Sequence, residues 1–469
     1  MMIPAILLLS AAAASAQPFD LVIAGGRVID PESRTDAIRH VGVRGGRIAA
    51  VSAAPLKGKR SIDAKGLVVA PGFIDLHAHG QDAENHRHQA RDGVTTALEL
   101  EIGTYDVEAW YRDREGRRLI HSGVSVGHVP ARMKTMRDPN DGFVPSGDAA
   151  RRAAQDEEIT VMKQAVERGL RQGALGLGFG IQYTPAASRW EIQEMFRVAA
   201  RQKAPVFAHI RHMGSAEPDA LNAVGEVIAN AAITGASLHI VHITSSGLTQ
   251  TPKLLQAIDE ARARGMDVTT ECYPYNAAMT ELQSAMFDPG WQKVLAIDYD
   301  RVEWVATGER LTRSTFERYR KVGGLVIMHM IPDDVVRKAV AHPGVMIASD
   351  GFLKDGKGHP RGAGSYTRVL GRYVREEKAL PLMDAIAKMS LLPANRVGLK
   401  SKGRIKAGAD ADLVVFDPAT VADRATFRQP SLPPMGMHHV IVAGTPVVEA
   451  GNLVPGVLPG KAVRRPPVP

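Results

Sequence analysis

The sequence predicts an α/β protein in which a (β/α)8 TIM barrel carries a small β-sandwich domain formed by both chain ends. Two observations lead to this prediction. Between residues 73 and 401, short apolar runs alternate with amphipathic helical stretches, which is the βαβα pattern of a parallel sheet. On either side, short β-prone runs are separated by Gly and Pro turns, and a chain of 469 residues is long enough for both units.

We interpret the first 16 residues as a secretory signal peptide. Ile3 to Leu9 is an apolar core, and the small residues after it end in Ala14-Ser15-Ala16, so we expect cleavage after Ala16 and a periplasmic or secreted protein. No Lys or Arg precedes the apolar core, which leaves open a retained anchor or a start codon placed too early. After cleavage, no apolar run reaches the roughly 18 to 20 residues that a membrane span needs.

The β-sandwich is expected to combine residues 17–72 with residues 402–469, which also include a Pro-rich tail. In the first part, Leu21 to Ala24, Val41 to Val43 and Ile48 to Val51 are the β-prone runs. The second part has the same texture at Ala411 to Asp417 and at Val440 to Gly444. The barrel occupies residues 73–401 between them.

Eight runs in the barrel region are candidate strands, the number that a (β/α)8 barrel requires. The first contains His77 and His79. The other seven are Thr95–Leu100, Ala174–Gly178, Val206–His209, Leu238–Ile243, Val268–Cys272, Leu325–His329 and Val345–Ala348. The helical periodicity is clearest at Glu157–Arg171, Arg189–Arg201 and Pro252–Arg264.

The composition excludes several classes of protein. Hydrophobic residues make up 45% and charged residues 23%, which is typical of globular chains and argues against a fibrous or disordered one. The formal net charge is +8, but the basic residues are scattered and interleaved with acids, as at Arg112 to Arg118, so we expect no nucleic-acid partner. Cys272 is the only cysteine, so no intramolecular disulfide can form.

The residues at the ends of the candidate strands indicate a metal centre. His77 and His79 are two positions apart, so on a strand their imidazoles point to the same face. Later strands end in His209, His242 and Asp350. Active sites of TIM barrels lie at these C-terminal strand ends, and histidines gathered there are typical ligands of one or two divalent ions. Such an ion acidifies water, and Asp350 is then the candidate general base.

Further motifs are spread over nearly the whole mature chain. They are Pro71–Gly80, Asp92–Glu101, Gly173–Gly176, Tyr273–Tyr275, His359–Arg361, Lys402–Ile405 and Ala407–Asp417. Together these residues resemble the amidohydrolase superfamily, and within it the N-acyl-D-amino-acid deacylase (D-aminoacylase) group, in its D-glutamate deacylase-like branch. The resemblance implies a metal-dependent TIM barrel that hydrolyses the linear amide of a small N-acyl-D-amino acid, with N-acyl-D-glutamate as one candidate substrate.

The resemblance also implies roles for single residues. His77, His79, His209 and His242 are similar to the family's histidine ligands, and Asp350 to its strand-8 acid. D-aminoacylases place a bridging Cys on strand 2 and other members of the superfamily a carboxylated Lys on strand 4, but this chain has neither. Glu99 and Glu101 share a strand face, and we prefer Glu101 as the ligand because it lies nearer the C-terminal end. Zinc is the expected ion, and a carboxylate in place of a thiolate also suits manganese or cobalt.

For the substrate, the family implies a group that binds a carboxylate beside the metal centre. Arg211 and Tyr275 are the candidates for it, and His359 and Arg361 are candidates for lining the entrance. D-aminoacylases have a Lys two residues after the strand-6 His, where this chain has Thr244. The side chain of the substrate and its D or L configuration therefore stay open, and the sequence does not indicate an oligomeric state.

Three alternatives fit the same residues. A dipeptidase would cleave a chemically similar amide. A cyclic amidohydrolase of the dihydroorotase or hydantoinase kind shares the strand-end residues but usually has the bridging Lys. An exported binding protein that lost catalysis is the alternative from another class, and the intact set from His77 to Asp350 argues against it.

Overall fold

The computed structural model describes residues 18–140 and 142–466. The predicted signal peptide, residues 1–16, lies outside the described residues, and so does its cleavage site. Among the residues that are described, no helix is both long and apolar enough to cross a membrane.

The chain contains short strands throughout. They are β1 (Phe19–Asp30), β2 (Thr35–Arg44), β3 (Arg47–Ser52), β4 (Gly58–Asp63), β5 (Val68–Pro71), β6 (Phe73–Asp75), β7 (Val94–Thr104), β8 (His121–Gly127), β9 (Leu177–Gly180), β10 (Val206–His209), β11 (Leu238–Ile240), β12 (Val268–Cys272), β13 (Ala278–Glu281), β14 (Val302–Trp304), β15 (Glu309–Arg310), β16 (Leu325–Met328), β17 (Val345–Ile347), β18 (Leu353–Lys354), β19 (Lys357–Gly358), β20 (Leu413–Phe416), β21 (Met437–Val442), β22 (Thr445–Glu449) and β23 (Asn452–Leu453).

Helices follow most barrel strands. They are α1 (Ala83–Arg91), α2 (Val107–Arg112), α3 (His128–Met136), α4 (Asp148–Arg151), α5 (Asp156–Arg171), α6 (Arg189–Arg201), α7 (Ala220–Thr234), α8 (Ile243–Gly247), α9 (Thr251–Ala263), α10 (Trp291–Leu295), α11 (Arg313–Val322), α12 (Asp333–Ala341), α13 (Arg361–Arg368), α14 (Leu382–Met389) and α15 (Leu391–Arg396), and α13 continues into a π-helical segment, Val369–Glu376.

Eight parallel strands form the predicted barrel, in the order β6, β7, β8, β9, β10, β11, β12 and β17. The fold class is confirmed, but one predicted strand was wrong and one barrel strand was missed. Leu325–Met328 (β16) pairs with β13 and β14 in a separate antiparallel sheet. The third barrel strand is instead β8, whose sequence HSGVSVG is rich in small residues and lacks the continuous apolar run of its neighbours.

The first and last barrel strands meet just beyond their ends. The N–H of Asp350 donates to the carbonyl of His77 at 2.7 Å, and the N–H of Gly80 donates to the carbonyl of Gly351 at 3.2 Å. The buried Asp75 side chain accepts from the N–H groups of both His77 and Ser349. These bonds place the segments that follow strands 1 and 8 side by side.

A nine-stranded sheet combines both chain ends, β1 to β5 with β20 to β23. Its join is β5, which pairs in parallel with β1 and antiparallel with β20. Leu21, Ile23, Val41, Leu413 and Val415 belong to its buried core. The C-terminal tail leaves this sheet and returns to the barrel, where the N–H of Val463 donates to the carbonyl of Ser122 at 2.8 Å.

Candidate metal centre

His77 and His79 lie just beyond β6 rather than on it, but their rings meet as the two-residue spacing predicts. Their Nε2 atoms are 3.2 Å apart. His77 still forms an isolated antiparallel bridge with Glu99 of β7, which keeps this segment extended. The side chain of His77 is fully buried and that of His79 is 10% exposed, and two imidazole nitrogens point to one place inside the barrel mouth.

Glu101 lies between the two pairs of histidines. Its Oε2 is 3.2 Å from Nε2 of His77 and 3.3 Å from Nε2 of His79. Its Oε1 is 2.7 Å from Nδ1 of His209 and 3.1 Å from Nε2 of His242. Because each oxygen faces a different pair, this carboxylate has the geometry of a ligand that bridges two ions.

Glu99, the alternative to Glu101, lies behind His79. Its Oε2 is 2.6 Å from Nδ1 of His79, the ring nitrogen that points away from the cluster. Its Oε1 accepts from the N–H groups of Ile102 and Gly103. Glu99 therefore orients a ligand, and Glu101 is the carboxylate that reaches the centre.

Asp350 completes the cluster at the end of the eighth strand. Its Oδ1 is 3.2 Å from Nε2 of His79, 3.5 Å from Nε2 of His77 and 3.0 Å from Nη2 of Arg361. Burial by itself raises the pKa of this carboxyl, but Arg361 and His77 outweigh burial and hold the pKa well below its ordinary value. Asp350 is therefore ionised at neutral pH.

The outward ring nitrogen of every ligand histidine has a partner. His77 faces Glu271 at 3.0 Å, His79 faces Glu99, His209 faces Oε1 of Gln182 at 2.7 Å, and His242 faces Ser246 at 3.2 Å. Such partners set the tautomer of a histidine and aim its other nitrogen at an ion.

Two of the converging residues have an unusual backbone conformation. His242 has φ of 31° and Asp350 has φ of 50°, the left-handed region that residues with a Cβ rarely adopt. The N–H of His242 is anchored on Oε1 of Glu271 at 2.6 Å, and that of Asp350 on the carbonyl of His77. These anchors hold both side chains toward the centre at the expense of backbone strain.

The donor set fits divalent ions. Three overlapping groups have their ligand atoms within 4.8 Å of one another: His77, His79 and Glu101; His77, His242 and Asp350; and Glu101, His209 and His242. Imidazole nitrogens about 3 Å apart repel each other through their lone pairs unless a proton or a cation lies between them. Four histidines and two carboxylates suit zinc, manganese or cobalt.

Of the four residues predicted to bind substrate, Arg361 alone contacts the cluster. Arg211 instead pairs with Glu226 at 2.7 Å and donates to the carbonyls of Pro185 and Ala187. An arginine held in this way has its charge neutralised by its partner, here Glu226.

Tyr275 and His359 are buried and contact each other, with ring centroids 5.3 Å apart. The hydroxyl of Tyr275 donates to Asp423 at 3.3 Å. His359 bonds the carbonyl of Ala277 through Nε2 and accepts from the N–H of Arg361 through Nδ1. His359 therefore positions Arg361, and neither ring lines the pocket above the ligands.

That pocket opens directly over the ligand atoms and is mostly apolar. His79, Glu101, His209, His242 and Asp350 form its floor. Its walls are Ile102, Phe143, Val144, Tyr183, Met213, Ser245, Ala278, Met279, Thr280, Glu281, Met286, Leu325, Met328 and Phe352. The lining contains no Lys or Arg among the residues that the structure describes, and Glu281 is the charged group of its walls.

Comparison with known proteins places this architecture in a family. The model of the amidohydrolase family matches residues 60–448. The chain is 34% identical to the N-acyl-D-glutamate deacylase of Alcaligenes xylosoxydans xylosoxydans, over 96% of this chain and 97% of the relative. The chain belongs to the amidohydrolase family. It is a hydrolase of carbon–nitrogen bonds other than peptide bonds, as its sequence predicted.

Other proteins similar to this amidohydrolase are also deacylases of N-acyl-D-amino acids by name or D-aminoacylases. The D-aminoacylase of the same organism is 33% identical, with 92% of this chain and 95% of the relative covered. Among solved structures, the N-acyl-D-glutamate deacylase of Bordetella bronchiseptica, complexed with zinc and a phosphonate mimic of the tetrahedral intermediate, has a TM-score of 0.83 at 30% identity, covering 96% of this chain and 100% of that one. A D-aminoacylase structure has a TM-score of 0.82 at 29% identity with the same coverage.

Sequence reasoning missed several residues of this amidohydrolase site. Glu271 is the penultimate residue of β12, so an argument from the ends of strands, which selected His209, could also have found it. Gln182 and Ser246 follow their strands at positions without a comparable signal, since a lone Gln or Ser in a loop carries no ligand pattern. Tyr183, whose hydroxyl lies 3.0 Å from that of Thr280, is a further wall residue that only the fold reveals.

Proposed function

We propose that this amidohydrolase hydrolyses the amide of N-acyl-D-amino acids to a carboxylate and a free amino acid, with zinc as its ion. The position of Glu101 is the observation that carries the proposal, because its two oxygens face two pairs of histidines that would hold one or two ions under a pocket open to a small molecule. The names of the two Alcaligenes relatives, N-acyl-D-glutamate deacylase and D-aminoacylase, support the substrate class. The zinc in the Bordetella structure supports the ion.

The ligand residues would hold one or two zinc ions, which supply acidified water and polarise the scissile carbonyl. Asp350 then acts as the general base that takes the proton of the attacking water. The same carboxyl returns this proton to the amide nitrogen as the carbon–nitrogen bond breaks. Arg361 keeps Asp350 ionised before the reaction, and the carboxylates behind His77 and His79 keep both rings aimed at the reaction centre.

The pocket limits the substrate's side chain. A D-glutamate side chain bound there would bring a second carboxylate beside Glu281 without a cation from the walls, and uncompensated buried charge is costly. Phe143, Met279 and Met286 offer apolar contacts instead. We therefore propose that N-acyl-D-amino acids with apolar side chains are the better substrates and N-acyl-D-glutamate the poorer one.

A panel of substrates tests both proposals with zinc-loaded protein. It contains N-acetyl derivatives of D- and L-leucine, methionine, phenylalanine and glutamate, together with dipeptides and cyclic amides such as hydantoins, and the released amine is quantified. We expect turnover of linear N-acyl-D compounds, with kcat/KM highest for the apolar side chains. Preference for D-glutamate would refute the apolar assignment alone, turnover of cyclic amides alone would refute deacylation, and no turnover would favour a binding protein.

We also propose that the protein is exported. The support is the sequence of residues 1–16, which ends in the small residues of a cleavage site. Mass determination of the protein purified from its natural host would show a mature N-terminus at Gln17, and a chain that begins at Met1 or Met2 would contradict export by cleavage.

A further inference from the structure

A second polar cleft lies away from the metal centre, between the start of α1 and the loop after α2. We call it the α1–α2 cleft and define it by Gln81, Asp82, His86, Arg114, Arg117 and Arg118. None of these residues lines the pocket over the metal centre. Nothing in the proposed reaction uses them.

Arg118 is buried in this cleft without a carboxylate partner. The other buried arginines of the described chain all have one: Arg132 pairs with Glu191, Arg361 with Asp350 and Arg404 with Glu32. Arg118 is 4% exposed, and within residues 18–140 and 142–466 its guanidinium donates to Oγ of Ser122 and the carbonyl of Tyr111. Arginines are rarely buried unless they are paired with a carboxylate, and Arg118 departs from this rule while the other buried arginines of the described residues follow it.

Arg114 and Arg117 add to the unbalanced charge. Half-buried Arg114 donates to the carbonyls of Gln81 and Trp110, both at 3.1 Å, and stacks over the ring of Trp110. It forms no ion pair within residues 18–140 and 142–466, and the same holds for exposed Arg117. Burial lowers the pKa of both Arg114 and Arg118, as expected for cations that lack a counter-ion.

His86 adds a second observation that also points to a ligand. It is 2% exposed and lines the cleft, yet neither of its ring nitrogens has a hydrogen-bond partner. Buried polar groups normally have hydrogen-bond partners, so the unpartnered imidazole of His86 is unusual and leaves a donor for a bound group.

Two carboxylates also line the cleft, and among the described residues neither forms an ion pair with these arginines. Asp82 caps α1 and accepts from the backbone N–H and side-chain amide of Asn85. Asp113 is exposed and its carboxylate is 3.7 Å from Arg112, a residue that does not line the cleft. Three guanidinium groups against two committed carboxylates leave the cleft positive.

We propose that the α1–α2 cleft is a binding site for a small oxyanion, held by the guanidinium groups of Arg114, Arg117 and Arg118. Guanidinium forks match the paired oxygens of phosphate and carboxylate groups, which are the shared ligand chemistry. An apolar groove that contains Leu119, Leu453 and Leu458 adjoins the cleft at Arg117 and gives space to an apolar substituent on the anion.

Calorimetric titration of inorganic phosphate, and separately of acetate, into the zinc-loaded protein tests this site at constant ionic strength. We expect saturable binding of one equivalent of phosphate or of acetate, and the tighter of the two identifies the group recognised. Arg114→Gln and Arg117→Gln should each weaken binding by about tenfold or more, since each removes a charge-assisted contact. Arg112→Gln, on the exposed side of the same segment, is the matched control and should bind as the wild type does.

The variants also separate this site from others. If phosphate bound at the metal centre instead, its affinity for Arg114→Gln would equal its affinity for Arg112→Gln. Equal affinities would overturn the proposal. The absence of saturable heat with both anions would overturn it as well. Arg118 is not the test position, because its bonds to Ser122 and Tyr111 also stabilise the fold; thermal melting should show Arg114→Gln and Arg117→Gln folded.

Discussion

At the scale of single residues, Glu101 decides the chemistry of the centre. Its two oxygens face two pairs of histidines, His77 with His79 and His209 with His242. A carboxylate in this position is a harder ligand than a thiolate, which widens the choice of ions beyond zinc. The proton transfer, by contrast, depends on Asp350, and this division of labour makes the two roles separable by mutation.

Asp350→Asn should keep the ion and lose the reaction. An amide cannot accept the water's proton, so we expect kcat to fall by about 10² to 10⁴ while the zinc content stays near the wild-type value. Metal analysis and turnover of the best substrate of the panel measure both quantities. If zinc and activity were lost in equal proportion, Asp350 would be a structural ligand rather than the base.

Glu271→Gln should weaken metal binding without contacting the ion. Glu271 faces Nδ1 of His77 and anchors the N–H of His242, so the weaker amide acceptor orients both ligands less firmly. Loss of such outer partners typically lowers metal affinity about 10- to 100-fold, which competition with a chromophoric chelator can measure. Glu303→Gln is the matched control, since Glu303 faces His329 at 3.0 Å in the separate sheet. Equal zinc affinity in the two variants would contradict the role of Glu271.

At the scale of secondary-structure elements, the barrel strands work through the residues that follow them. β6, β11 and β17 are only three residues long, and His77, His242 and Asp350 all lie beyond their ends. Beyond the strand ends, backbone hydrogen bonds between the segments that follow the strands hold these residues in place, as between Asp350 and His77. Predicting the strand therefore located each ligand, but the hydrogen bonds of the loops determine its direction.

Helix α1 should give stability a pH dependence through His86. Burial lowers the pKa of His86 from 6.5 to about 4, so the unfolded chain binds more protons between these values than the fold does. The contribution of neutral His86 to the free energy of unfolding should therefore be fully present above pH 6.5. It should decrease as the pH drops toward 4, by at most about 3 kcal/mol. Melting temperatures of wild type and His86→Gln at pH 7.5 and pH 5 measure the effect. The variant should lose less on acidification, and identical losses would show that another group is responsible.

At the scale of the whole molecule, the two chain ends cooperate. They share the nine-stranded sheet, and the tail then returns along the third barrel strand. The hydroxyl of Tyr111 donates to the carbonyl of Val463 at 2.6 Å, and the N–H of Arg465 donates to the carbonyl of Gly173 at 3.0 Å. The tail thus covers the edge of the barrel where β8 is richest in small residues.

Removal of residues 460–469 should destabilise the barrel. The truncation exposes the surface under buried Val463 and breaks the hydrogen bonds of Val463 to Ser122 and Tyr111. We therefore expect the free energy of unfolding to fall by about 3 kcal/mol or more, which a lower melting temperature would show. Arg464→Gln is the control, because its pair with Glu108 is exposed and worth less than about 1 kcal/mol. If the truncated protein had the same melting temperature as the wild type, the tail would not contribute to stability.

The sequence by itself determined the barrel, the role of both chain ends and the group of histidines, because alternating periodicity and strand-end residues are local signals. It did not determine the third strand, since the small residues of β8 lack an apolar run. The choice between Glu99 and Glu101, the pairing of Arg211 with Glu226 and the lone charge of Arg118 required the tertiary structure. Each of these outcomes depends on which side chain, distant in the sequence, lies next to the residue in the fold. No local sequence pattern specifies such a neighbour.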